Sequence, residues 1–125
     1  MEYERNDVKF IGIGYNDACI NFLVRFSHHD FDNLKTAIKN VRSYNNFSGT
    51  KTARAFAKIE HLALYASFGR EGSPVLYIHL KRENLNSAPI GANEVISVFK
   101  SLGTAAPDEA NIDYHNPALL RFWWD

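Results

Sequence analysis

Residues 61 to 82, HLALYASFGREGSPVLYIHLKR, constrain the fold more than any other stretch. Apolar side chains recur at every second position on both sides of Arg70–Gly72, the pattern of two half-buried strands joined by a tight loop. A three-residue loop with Gly72 in the left-handed region would set Gly69 against Ser73. Leu62, Leu64 and Ala66 would then meet Leu80, Ile78 and Leu76 on a core face. On the opposite face Tyr65 would meet Tyr77, Ala63 would meet His79, and His61 would meet Lys81. Because the side-chain period is two, a one-residue slip would exchange these faces completely. Pro74 has no N–H for a ladder, so its end of the strand is expected at a sheet edge.

Other segments supply the layers this hairpin needs. Residues 8 to 26, VKFIGIGYNDACINFLVRF, read as a second hairpin about Asn16 and Asp17. Ile13 would pair with Ile20 and Ile11 with Phe22, Val24 and Phe26 extending that buried face. Val8, Phe10, Leu23 and Arg25 would point away from it. In residues 29 to 44 the spacing of Phe31, Leu34, Ile38 and Val41 predicts an amphipathic helix. Asp30 and Asp32 suit its N-terminus, and Lys39 and Arg42 its C-terminus. Residues 45 to 50, NNFSGT, are expected to end it. A second helix is predicted within residues 87 to 104, with Val95, Val98, Phe99 and Leu102 as its stripe and Gly103 as its stop. PALLRFWWD, residues 117 to 125, reads as a last strand with Leu120, Phe122 and Trp124 on one face and Leu119, Arg121 and Trp123 on the other. The expected fold is α+β, in ββαββαβ order, with two helices on one face of a five-stranded, mostly antiparallel sheet. A chain of 125 residues suits a single domain, 1 to 125.

Charge limits the functional classes. Fourteen basic and fourteen acidic residues cancel, so no general attraction to nucleic acid or anionic membranes is expected. The N-terminus lacks the basic and apolar runs of a signal peptide, and no apolar run reaches the length of a membrane span. Cys19 is the only cysteine and cannot form an intramolecular disulfide, which fits a reducing compartment. The expected location is cytoplasmic.

The motifs that resemble chemistry have structural explanations. His61 and His79 lack the third and fourth ligands zinc needs. His28–Asp30 falls at a helix start, where Asp30 is explained by capping. Asp113–His115 fits a polar loop before the last strand. Cys19 stands in a predicted strand without the cation or helix start that activates a thiol. Ser48–Thr52, SGTKT, lacks P-loop spacing and is read as following a helix rather than opening one. The glycines of GIGYND lack the rest of a dinucleotide fingerprint. Accordingly no catalytic residue, metal site or cofactor is expected.

There remains a sheet face with unusual composition. Tyr65, Tyr77, His79 and His61, with Lys81, Arg121 and Trp123, are the candidate partner-binding residues, since aromatic and Arg side chains combine contact area with polar tips. The leading expectation is a protein-binding module, a small inhibitor of the immunity-protein, antitoxin or phage-inhibitor type, with self-association a further mode. Nucleic acid or nucleotide bound by stacking on the same face is the alternative. A small enzyme using His79, His61 and Tyr65 as acid–base groups ranks third, because general bases need a pocket and a positioned partner.

Overall fold

A computed structural model of the chain describes residues 21–41, 46–82 and 89–125. The predicted strand before Asn16, its turn and Cys19 lie outside the described residues. In chain order the elements are β1 (Asn21–Ser27), α1 (Phe31–Lys39), α2 (Gly49–Ile59), β2 (Ala63–Glu71), β3 (Ser73–Leu80), α3 (Ala92–Lys100), β4 (Glu109–Ile112) and β5 (Leu119–Trp123). The five strands form one antiparallel sheet in the order β1-β2-β3-β5-β4. The α+β class and the antiparallel sheet are as expected. The order of elements is not: α2 and β4 were not expected, and among the described residues three helices, rather than the expected two, contribute to the layer.

The helix stripes follow the spacing of the apolar residues. Phe31, Leu34, Ile38 and Val41 are all buried, as their periodicity predicts. Asp30 occupies the N-cap of α1 but makes no side-chain capping bond, a correction to its assigned role. The segment expected to end α1 instead starts α2. Ser48 is its N-cap, its Oγ accepting from the Lys51 N–H at 3.2 Å. SGTKT therefore does open a helix, although the P-loop spacing remains absent. Gly49 is there because α2 begins against the end of α1: an added Cβ would collide with the Ile38 carbonyl oxygen. In α3, Val95 and Phe99 are buried and Val98 packs on the core edge, as does Leu102 beyond the helix end. α3 ends at Lys100 with Ser101 as its C-cap, so Gly103 is not its stop; at φ 65° it begins a 3₁₀ turn, Gly103–Ala105.

All three helices bury their stripes against one side of the sheet. Val24, Phe26, Ala66, Phe68, Leu76, Ile78, Leu80, Leu120 and Phe122 share a single core with them. Each fully buried Leu, Ile or Phe side chain contributes about 1.5–3 kcal/mol relative to exposure. The aromatic layer is interlocked: Phe99 stacks on Phe122 at 4.5 Å, and Phe47 meets Trp124 edge-on at 5.1 Å. The Trp124 indole N–H is satisfied within this core by the Ala105 carbonyl at 2.8 Å.

The central hairpin departs from expectation in three ways. Glu71 opposes Ser73 across Gly72 (φ 74°), and Gly69 opposes Val75, so the pairing is displaced by two residues. An even displacement preserves parity, so Tyr65, Tyr77 and His79 keep their face. A bulge between Ala63 and Tyr65 reverses the residues before it: Ala63 is buried and Leu64 is 45% exposed. Pro74 does not mark an edge. β3 is a central strand, and the Pro74 carbonyl accepts the Trp124 N–H at 3.0 Å.

Candidate functional site on the sheet face opposite the helices

The alternation that buries the even-numbered residues of β3 and β5 places Tyr77, His79, Leu119, Arg121 and Trp123 on the other face. Leu23, Arg25, Tyr65, Ser67 and Glu71 join them from β1 and β2. This face divides into two unlike halves.

At one end the side chains satisfy one another. Tyr77 donates its hydroxyl proton to Glu71 Oε2 at 2.9 Å. Arg121 donates from Nε and Nη2 to Glu71 Oε1 at 3.1 and 2.9 Å, and from Nη1 to Glu109 Oε1 at 2.7 Å. Its Nε also lies 3.2 Å from the Tyr77 hydroxyl oxygen. One guanidinium on β5 thus binds groups from β2, β3 and β4. Burial pushes the Tyr77 phenol above its ordinary range, and the Glu71 carboxylate adds to that shift. Burial alone would lower Arg121, but its bonds to Glu109, Glu71 and Tyr77 prevail and raise it. Trp123 reaches further. Its indole N–H donates to the Glu71 carbonyl on β2 at 2.9 Å, so the ring crosses β3 at the level of its register neighbour, Val75. Val75 is 0% exposed on a sheet face that carries no described helix.

At the other end lies a depression of about 180 Å³ lined by Leu23, Arg25, Tyr65, Ser67, Tyr77, His79 and Leu119. The Arg25 guanidinium sits over the Tyr65 ring, 4.0 Å from its centroid. Tyr65 in turn packs against its cross-strand neighbour His79, with ring centroids 4.6 Å apart. Burial lowers the His79 pKa below its ordinary value, and the positive charges of Arg82 and Arg25 lower it further. At neutral pH this imidazole is therefore uncharged in a positive field. Leu23 is 45% exposed at the rim.

The seven candidate residues thus fall into separate groups. Tyr65 and His79 are together in the depression, and Tyr77 borders both halves. Arg121 and Trp123 belong to the satisfied end. His61 is not in the ladder: it is exposed in a 3₁₀ turn, Glu60–Leu62. Lys81 is exposed beyond the end of β3, its N–H donating to Leu62 O at 2.9 Å. The predicted His61–Lys81 and Ala63–His79 pairs do not form. Leu23, expected only to point outward, and Arg25, expected to point outward and to meet phosphates if the face bound nucleic acid, line the depression; their strand's alternation carried the signal. Asp113 has a structural task, accepting the His115 and Asn116 N–H groups at 3.0 and 2.9 Å. His28 and His29 are exposed, with ring centroids 3.9 Å apart. Among the described residues no group of three His, Cys, Asp or Glu side chains could hold a metal ion, and no helix is long and apolar enough to cross a membrane. Compared with protein-family models, curated proteins and solved structures, the chain matches none.

Proposed function

We propose that this chain is a protein-binding module that docks a partner on the depression formed by Leu23, Arg25, Tyr65, His79 and Leu119, acting by occlusion as a small inhibitor does. The observation that carries this reading is the contrast within one sheet face. Tyr77, Arg121 and Trp123 are bonded to neighbours, whereas the Tyr65 end retains a concavity and an exposed leucine at its rim. An apolar floor with aromatic and Arg side chains has the composition of an interface centre. The positive field acting on His79 from Arg82 and Arg25 favours a partner that presents an apolar side chain flanked by carboxylates.

Base stacking on the same face has weaker support, because Arg25 already lies over the Tyr65 ring and the Trp123 indole crosses β3. Parallel affinity capture from the native source with wild-type and Tyr65→Ala baits, followed by mass spectrometry, tests the proposal. A protein retained by wild type and weakened at least about tenfold by Tyr65→Ala is expected. A protein retained equally by both baits, or RNA whose retention is lost with Tyr65→Ala and no protein beside it, contradicts it.

A further inference from the structure

On the opposite side of the molecule the formal charge balance conceals a separation of charge. The solvent side of α2 carries Lys51, Arg54 and Lys58, at positions i, i+3 and i+7, and the helix contains no carboxylate. These residues lie along one stripe, separated by about 4.5 and 6 Å of helix rise. Lys39 of α1 faces Arg54 across a groove of about 490 Å³ that Thr36 and Thr50 also line. Arg54 lines a second groove as well, of about 240 Å³, beside Lys51, Lys58 and Ser101. Asp32 also lines the larger groove; it and Glu60 share one cation, Lys35, at 3.4 and 2.7 Å, so one net negative charge stands beside the four cations Lys39, Lys51, Arg54 and Lys58. Among the described residues Lys39, Lys51, Arg54 and Lys58 form no ion pair. Compensating acids stand elsewhere: beyond residue 103 the chain has Asp108, Glu109, Asp113 and Asp125 against one cation, Arg121.

We propose that this face binds the phosphate backbone of nucleic acid without reading its sequence. The choice among polyanions rests on what accompanies the cations. None of the exposed large hydrophobic residues, Leu23, Leu64, Ile90, Ile112 and Tyr114, belongs to α1 or α2. A protein interface would want an apolar or aromatic centre, which this surface lacks. A groove with cations on both walls admits a narrow ridge of charge, as a nucleic-acid strand offers, better than the flat surface of a bilayer. With no aromatic side chain on the stripe, base stacking is not involved, and binding is governed by release of counterions.

Fluorescence anisotropy with a labelled mixed-sequence DNA duplex, titrated at several salt concentrations, tests this. Four phosphate contacts predict a slope of about −3.6 in log affinity against log salt, hence roughly a hundredfold loss between about 50 and 200 mM. Replacing Lys51, Arg54 and Lys58 together by Ala should leave the circular dichroism unchanged, weaken binding at low salt at least tenfold, and flatten the slope to about −1. Arg54→Ala alone should reduce the slope by about one. Asn111→Ala, on the opposite side of the molecule and without a change of charge, should leave duplex binding unaltered. Three results would each overturn the proposal: no duplex binding at low salt, equal binding by the Arg54→Ala variant and wild type, or binding to polyglutamate or phosphatidylserine vesicles as tight as to the duplex.

Discussion

The two ends of the sheet face that carries no described helix have similar residue types and different fates. At the Trp123 end, Tyr77, Arg121, Glu71 and Glu109 complete one another's hydrogen bonds, and an indole lies across the central strand. At the Tyr65 end, Arg25, Tyr65 and His79 form a row of ring and cation contacts beside a concavity. The difference teaches that aromatic content alone does not identify a binding surface. What separates a finished surface from an available one is whether the polar tips have found partners within the chain.

The largest effect that would break this comparison is on stability. Trp123→Ala should cost about 2–3 kcal/mol in urea denaturation, near the lower end for large-to-small changes because Trp123 is only half-buried. Tyr65→Ala should cost under about 1 kcal/mol beyond the loss of its Arg25 contact. If the two losses were equal, the division of the face would be wrong. Arg121→Ala comes next, at about 1–2 kcal/mol, discounted because both of its ion pairs are partly solvated. Glu71→Gln should show part of the same loss, and the double variant should fall short of additivity.

The pH dependence sharpens the contrast further. The folded chain holds the His79 pKa below its ordinary 6.5, so the unfolded chain takes up the proton first as the solution is acidified. Stability present above pH 6.5 is therefore lost as pH falls through the lowered folded value, and His79→Gln should remove that part of the loss. Tyr77 behaves oppositely. Its pKa is raised above 10.0, the unfolded chain deprotonates first, and stability present below that pH is lost as alkalinity increases. Tyr77→Phe should flatten the alkaline limb. The smallest expected change in stability is that of Leu23→Asp, within about 0.5 kcal/mol because the side chain is exposed, while partner binding falls at least tenfold.

Much of this geometry is legible in the sequence wherever one residue spacing dominates. The stripes Phe31–Leu34–Ile38–Val41 and Val95–Phe99 gave two helices, and the alternation in LLRFWW gave the faces of β5 correctly. Even the wrong hairpin register kept Tyr65, Tyr77 and His79 together, because the displacement was by two. α2 escaped because its buried positions include Gly49, Thr52, Ala53 and Ala55, small residues chosen for close approach to neighbouring elements rather than for bulk. Only Phe56 and Ile59 give it a large apolar signal, although Ser48 marks its start. β4 escaped because EANI is short and mostly solvent-facing. The bulge at Ala63–Tyr65 has no local residue signature, so Leu64 was assigned to the core in error. The Arg121 network was unreadable for a different reason: Glu71, Glu109 and Arg121 meet only through the sheet order β2-β3-β5-β4.

The most direct test of a docking site confined to one end of the sheet face is site-specific photocrosslinking. A photoreactive residue is placed at position 23, on the rim of the depression, or at position 111, exposed and opposite Arg121 at the satisfied end. Irradiation with the captured partner should yield a crosslinked species from position 23 and none from position 111. Crosslinking from position 111 with none from position 23 would contradict the account.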